Sequence, residues 1–316
     1  MEKRELIRVF TDEAVTACIP VGCGHINDSY HVCTIQNEYI LQRLNAKLFA
    51  GSTKALERNY ILYRDACREN KNRTGEWEVP HWLSCSAGSF LYTDEEGACW
   101  RMYEYIKGKT LTAPFDTEDI KAFGNGLSKL HFILEQMKET PQGVLSELHD
   151  TRGYYRDYEK IRESADESLH DRMLEAIIER KAQRILDISL PGMSVIHADA
   201  KIGNALFRGG SMISMIDLDT IMQGARLLDI ADALRSCCMS GGAFDKTLAD
   251  AFVKAYQGSG YARLSKEECE ALPEAFKLIC YELGLRYYTD HLNGGIYFKQ
   301  EYPGQDLDKA KKLLFG

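Results

Sequence analysis

No apolar run in this chain approaches the ~20 residues that span a bilayer; Met212 to Ile216 is typical of the longest. The first ten residues, Met1 to Phe10, alternate charged and apolar side chains without an apolar segment ahead of a small-residue cleavage site, so no secretory leader is expected. Proline is scarce at 7 residues and glycine modest at 25 of 316, which excludes collagenous and Pro/Gly-rich disordered classes. Positive charge is not in excess: 39 Lys and Arg face 47 Asp and Glu, a net charge of −8. That argues against nucleic acid or an acidic membrane surface as partner, since phosphate polymers bind clustered Lys and Arg. No two of the 10 cysteines have the two-residue gap of a zinc knuckle or a thioredoxin-like site. They read as scattered thiols in a reducing, cytoplasmic setting. What remains is ordinary globular composition, 45% hydrophobic and 27% charged, at a length that suits one large or two average domains.

Texture changes near residue 107. Before it, short β-rich runs (Ser29 to Thr34, Glu38 to Leu44, Ser89 to Tyr92, Cys99 to Ile106) surround one helical segment at about Ser52 to Asn70. After it the period is helical. Ile120, Phe123, Leu127, Leu130 and Leu134 mark one face of an amphipathic helix that Asp116 is placed to cap. Further helical periodicity covers Leu169 to Leu186, Leu227 to Cys238, Phe244 to Tyr256 and Glu267 to Leu292. Ser194 to Asp219 is the exception: strand, polar loop, then a hairpin turning at Gly209 and Gly210. The expectation is an α+β fold with a β-rich lobe over 1–106 and a larger helical lobe over 107–316.

The island of strands carries the chemistry. It contains His197, Asp199, Lys201 and Asn204 in an H-x-D-x-x-x-x-N spacing, and Asp217 follows Asn204 by thirteen residues at the exit of an apolar strand, with Asp219 beyond it. Phosphoryl transfer asks little covalent work of a protein; it needs a carboxylate at the acceptor hydroxyl and oxygens that hold Mg²⁺ on the nucleotide phosphates. Asp199 fits the first task. Asn204, Asp217 and Asp219 fit the second, because Mg²⁺ is hard and takes oxygen ligands. Lys201 is a candidate phosphate contact, and His197 reads as the packed scaffold of the loop. Gly108-Lys109-Thr110 looks like the end of a Walker A loop, but that motif needs glycine where Tyr103 stands.

The loop and the Ile-Asp-x-Asp strand resemble the aminoglycoside phosphotransferase and choline kinase-like superfamily, small-molecule relatives of the protein kinases. Within it, Gly22 to Tyr30, Tyr39 to Asn45 and Arg286 to Leu292 with Tyr297 to Lys299 look most like the N-acetylhexosamine 1-kinases. The resemblance implies a bilobal kinase-like fold with ATP and Mg²⁺ in the cleft. It implies a phosphate loop at Gly22 and Gly24 and backbone contacts to adenine from Glu104 to Ile106. It also implies a phosphate-gripping cation on the strand after the loop. Gln42 and Arg43 compete for that register; alternation lets only one face the cleft, and charge favours Arg43. Its expected helix partner is Glu57, in competition with Asn59. Asp229, Asp232 and Arg235 read as support. The acceptor site is expected from Asp199, Arg286, Asp290, His291 and Tyr297, and Arg226 is a further candidate to reach the opening.

The expected reaction moves the γ-phosphoryl of ATP to a sugar hydroxyl, the anomeric 1-OH of an N-acetylhexosamine, in a monomer or weak dimer. An aminoglycoside, choline or another sugar is the alternative acceptor, and an inactive nucleotide-binding scaffold is the alternative outside catalysis.

Overall fold

The computed structural model describes residues 3–22, 27–45, 49, 51–145 and 147–315. The N-terminal part is an antiparallel sheet of β1 (Val15–Val21), β2 (Asp28–Thr34), β3 (Glu38–Arg43), β4 (Tyr92–Thr93) and β5 (Cys99–Glu104), in the order β1-β2-β3-β5-β4. Alternation gives the sheet two faces. Val32, Leu41, Trp100 and Met102 pack with Leu6 and Ile7 of α1 (Lys3–Ile7) on one side. On the opposite side Tyr103 packs with Leu56 and Tyr60 of helix α2 (Thr53–Glu69), close to the segment expected from sequence. Ser89 to Tyr92 was expected as a strand, but only Tyr92–Thr93 pairs. Glu57 takes the Phe90 and Leu91 N–H groups, so they are not available to a ladder.

α3 (Lys71–Thr74) is a single turn. The helical part follows with α4 (Thr117–Glu135), α5 (Thr151–Ser164), α6 (Arg172–Ile185), α7 (Arg226–Cys238), α8 (Lys246–Gly258), α9 (Lys266–Leu292) and α10 (Gln305–Phe315). α4 begins in a capping box, with Asp116 accepting from Asp119 N–H and Asp119 accepting in return. Its Ile120, Phe123, Leu127, Leu130 and Leu134 are all 0% exposed, so the stripe read from the sequence is the core face. Tyr63, Ala66 and Cys67 of α2 join this larger core, so α2 is shared between the two parts. α5 and α10 were not anticipated.

Between α6 and α7 lie β6 (Met193–Ile196), β7 (Ala205–Arg208), β8 (Ser211–Met215) and β9 (Met222–Ala225). β6 pairs with β9, and β7 with β8 through a turn whose Gly209 and Gly210 both have positive φ, 58° and 77°. Short β10 (Met239–Ser240) and β11 (Ala243–Phe244) precede α8. No helix among the described residues is long and apolar enough to cross a membrane, and the nine described cysteines are free.

Candidate active site

β6 delivers the chain into His197 to Lys201, and a single 3₁₀ turn, Ile202–Asn204, returns it to β7. The path is fixed by a buried carboxylate. Asp229 on α7 is 0% exposed and accepts the N–H groups of His197 and Ala198, each at 2.7 Å. Its Oδ2 also meets His131 Nε2 at 3.0 Å, and His131 Nδ1 meets the Tyr256 hydroxyl at 2.7 Å. Burial would raise the Asp229 carboxyl, but His131 and the two backbone donors hold it below the usual carboxylate range. Ala198 sits at φ 65°, a left-handed conformation rare for a residue with a side chain. His197 Nε2 donates to the Ile216 carbonyl, 3.0 Å away, and Thr220 Oγ1 donates to the His197 carbonyl at 2.7 Å. His197 therefore ties the loop to the segment after β8 that carries Asp217.

At the loop tip, Lys201 Nζ lies 2.6 Å from Asp199 Oδ2. Asn204 Nδ2 donates to the Asp199 carbonyl and to its Oδ2, both at 2.9 Å, which turns Asn204 Oδ1 the other way. Burial alone would raise the Asp199 carboxyl; the Lys201 ammonium, with His197 and Asn204, holds it low. Lys201 is raised in turn, so both partners are charged. Asp217 stands in the left-handed region, φ 63° and ψ 52°. Burial, then the charges of Asp219 and Asp199, push its carboxyl up to about 6. Three carboxylates thus share a pocket with too little positive charge, and a hard divalent cation held by Asp217 and Asn204 Oδ1 would relieve the deficit.

Asp219 is differently employed. It is 2% exposed and accepts a two-pronged hydrogen bond from Arg101 of β5, Nη1 to Oδ1 and Nη2 to Oδ2 at 2.9 Å, plus Asn27 Nδ2 at 3.1 Å. Both its oxygens are occupied, whereas Asp217 has no side-chain hydrogen-bond partner among the described residues.

The cation expected on β3 is not where charge suggested. Gln42 faces the cleft, bonded to Ser29 Oγ at 2.9 Å and to Arg101 Nε at 2.8 Å. Arg43 is exposed on the opposite face, 5.8 Å over the Trp100 ring. Glu57 is not a partner to it: its Oε1 accepts from Ser89 Oγ and from the Phe90 and Leu91 N–H groups at 2.6 and 3.1 Å. Asn59 is buried and clasps Gln142, donating to its carbonyl at 2.7 Å and accepting from its N–H at 2.9 Å.

In the segment joining the two parts, Glu104 N–H donates to the His81 carbonyl and Tyr105 N–H to the Glu38 carbonyl. The Ile106 N–H is the donor of Glu104–Ile106 that neither contact uses. Gly22 has φ 80°, a backbone shape that glycine adopts without strain. Gly24 lies outside the described residues.

A cavity of about 460 Å³ is lined by Leu148, Tyr154, Asp157, Arg286, Asp290 and Tyr297, among others. Arg286 and Asp290, four apart on α9, do not pair with each other. Arg286 packs 4.9 Å over the Tyr154 ring and donates to the Tyr297 hydroxyl at 3.3 Å. Asp290 accepts the N–H groups of Ile296, Tyr297 and Phe298 at 2.9 to 3.1 Å, shaping the loop that presents Tyr297. His291 turns away from this cavity, with Nε2 at 3.1 Å from the Leu169 carbonyl. Arg226 is likewise engaged elsewhere, with Glu135 and Glu268. Neither this cavity nor a depression of similar size, about 480 Å³, walled by ion pairs of α5 and α6, has a lining residue from the loop 197–204; the cavity is linked to that loop through Leu148, whose neighbour His149 meets the Ala198 carbonyl.

Four residues escaped the sequence reading. His149, at φ 62°, lies between the cavity and the loop: Nδ1 is 2.9 Å from Glu282 Oε1 and Nε2 is 3.0 Å from the Ala198 carbonyl. Thr151 donates to the other Glu282 oxygen at 2.9 Å. Burial would lower the imidazole, but the Glu282 charge and both hydrogen bonds raise it to about 9. Their signal in the sequence is faint, since His149 and Glu282 are 133 residues apart. Arg101 had a visible one, a lone charge within the apolar strand Trp100 to Tyr103.

A family model described as the phosphotransferase enzyme family matches residues 18–266. The chain belongs to this family. It is a phosphotransferase acting on the alcohol group of a small molecule. It is 27% identical over 282 residues to a homoserine kinase of Methylobacillus flagellatus, covering 89% of this chain and 80% of that one. The microcompartment-associated aminopropanol kinase superposes with a TM-score of 0.69 at 16% identity, covering 99% of this chain and 94% of the other. Amicoumacin kinase hAmiN, in complex with AMP-PNP, Ca²⁺ and Ami, gives 0.67 at 14% identity, covering 100% and 94%. At such identities these structures establish the fold, α+β with a β-sheet lobe and a helical lobe.

Proposed function

We propose that this phosphotransferase uses ATP with Mg²⁺ to phosphorylate a sugar hydroxyl, the anomeric 1-OH of an N-acetylhexosamine. The observation that carries the kinase reading is the cluster of Asp199, Lys201, Asn204 and Asp217 on one scaffolded loop and its neighbouring strand. Asp199 orients the acceptor hydroxyl and receives its proton as the phosphoryl transfers. A carboxylate held low is a weak base, which suits a loose transition state in which the hydroxyl loses its proton late. Lys201 holds Asp199 in the charged form and lies at the phosphoryl position. Asn204 Oδ1 and Asp217 would hold Mg²⁺, which supplies charge neutralisation on the nucleotide phosphates. The Ile106 N–H meets adenine, and Gly22 lets backbone approach the phosphates.

The sugar assignment rests on the cavity beside the loop, where Tyr154 and Tyr297 offer rings for an apolar sugar face and Arg286 and Asp157 offer hydrogen bonds. A second reading has a specific basis. Arg286 opposite Glu147 and Asp157 could meet the carboxylate and ammonium of an amino acid alcohol, the acceptor class named for the homoserine kinase relative. Those two acids would also suit the positive charge of an aminoglycoside. Against the inactive-scaffold alternative stands Arg101, a buried cation in the cleft although β3 supplies none. Coupled ADP release is measured with N-acetylglucosamine, N-acetylgalactosamine, homoserine, choline and an aminoglycoside. Preference for an N-acetylhexosamine over the others by at least ~10-fold in kcat/KM is expected; preference for homoserine, choline or the aminoglycoside overturns the sugar assignment, and no turnover with any of them overturns the kinase.

A further inference from the structure

Arg101 is a buried charge that joins the two parts of this molecule. It is 2% exposed, and its partner Asp219 lies 118 residues away at the other side of the cleft. Gln42 and Arg101 are register partners on β3 and β5, so the guanidinium stands one strand over from the position where a kinase of this type is expected to carry a lysine. The usual second half of that ion pair is missing too, since Glu57 serves the loop at 89–91 and Asn59 serves Gln142. We propose that the Arg101–Asp219 pair stands in for that ion pair only as a positioning link, which holds the nucleotide-binding sheet to the metal loop. Neither residue is thereby a phosphate or metal ligand. The inference rests on the nucleotide reading above.

The geometry gives the link something to hold. Asp217 is a non-glycine residue in a left-handed conformation, which persists only where its surroundings enforce it. Upstream, Ile216 is tied by its N–H to the Asn204 carbonyl at 2.9 Å and by its carbonyl to His197. Downstream, the anchor is Asp219, two residues on, held by both Arg101 nitrogens. The pair also reaches the phosphate loop: Asn27 donates to Asp219 and accepts from the Asn45 N–H at 3.1 Å. Planar fork meets carboxylate, a match that an ammonium group does not reproduce. Removing one member leaves the other as an uncompensated buried charge and frees Asp217 to leave the orientation in which it meets a metal–nucleotide complex.

The test is a double-mutant cycle read by calorimetric binding of Mg·AMP-PNP, with nucleotide and acceptor KM measured alongside. Arg101→Gln and Asp219→Asn should each weaken nucleotide binding at least ~10-fold and raise nucleotide KM more than acceptor KM. Because both act on one contact, the double variant should be no worse than the poorer single one. Glu57→Gln should stay within about twofold of the wild type. Additive losses, single variants that bind as the wild type does, or a Glu57→Gln loss equal to that of Arg101→Gln each overturn the link. Should Arg101→Gln fail to fold, Arg101→Lys keeps the charge without the fork and should still bind at least ~3-fold more weakly; wild-type affinity there overturns the proposal. A wild type that does not bind Mg·AMP-PNP refutes the nucleotide reading itself, whereas unaffected variants beside a binding wild type refute only the role of the pair.

Discussion

Replacing His149 by phenylalanine removes a cation on which a buried carboxylate depends. Both imidazole nitrogens face acceptors, Glu282 and the Ala198 carbonyl, so the ring must carry both protons. Without it Glu282, 3% exposed, keeps Thr151 as its near hydrogen-bond donor. Breaking a buried pair by removing one member costs about 3–5 kcal/mol. The titration gives the same order independently: a rise from 6.5 to about 9 corresponds to roughly 3 kcal/mol. The sign follows from a raised pKa. The stabilisation is fully present below about pH 6.5 and is lost as pH climbs through 9. Urea unfolding of wild type and His149→Phe at pH 6.5, 8 and 9.5 should show a gap that is widest at the lowest pH and narrows toward the highest. Because the Ala198 carbonyl loses its partner one residue before Asp199, kcat should fall as well. A gap under ~1 kcal/mol at pH 6.5, or one that stays constant across the series, would refute the charged pair.

Asp199→Asn should lower kcat by about 10²–10⁴ with nucleotide affinity little changed, and undiminished turnover would sink the mechanism. Arg43→Gln should leave nucleotide KM within about twofold, since Arg43 lies on the face of β3 away from the cleft; a large rise would place it in the site. Stripping divalent ions with EDTA should abolish turnover and restore it on adding Mg²⁺, with Asp217→Asn requiring at least ~10-fold more of the ion; indifference to EDTA is the contrary result. Gly124→Ala should cost about 1–3 kcal/mol in denaturant unfolding, because its Cβ would fall 2.5 Å from the Phe252 carbonyl oxygen where α4 crosses α8; an unchanged midpoint would show that the helices separate freely.

Local signals carried much of the molecule. The 3-4 spacing of Ile120 to Leu134 and the Asp116 cap are written in adjacent residues, and the helix forms between Thr117 and Glu135. The Gly209-Gly210 pair marked its hairpin for the same reason, since only the two central residues decide such a turn. α5 escaped because its sequence, from Thr151 to Ser164, buries only Thr151 and Tyr158 and so lacks a continuous apolar stripe. Ser89 to Tyr92 looked like strand by composition, yet the Phe90 and Leu91 backbone donors are claimed by Glu57, on a helix more than thirty residues earlier.

By itself the sequence determined the candidate catalytic loop, because Asp199, Lys201 and Asn204 lie within six residues and their spacing is their geometry. It also determined that either Gln42 or Arg43 faces inward, but not which one. That choice belongs to the tertiary structure, where β5 sets Arg101 against Gln42 and covers the other face with α1. Pairings such as Arg101 with Asp219 and His149 with Glu282 join residues more than a hundred positions apart. They exist because burying a charge demands a partner wherever the fold can bring one, and no local pattern records which partner that will be.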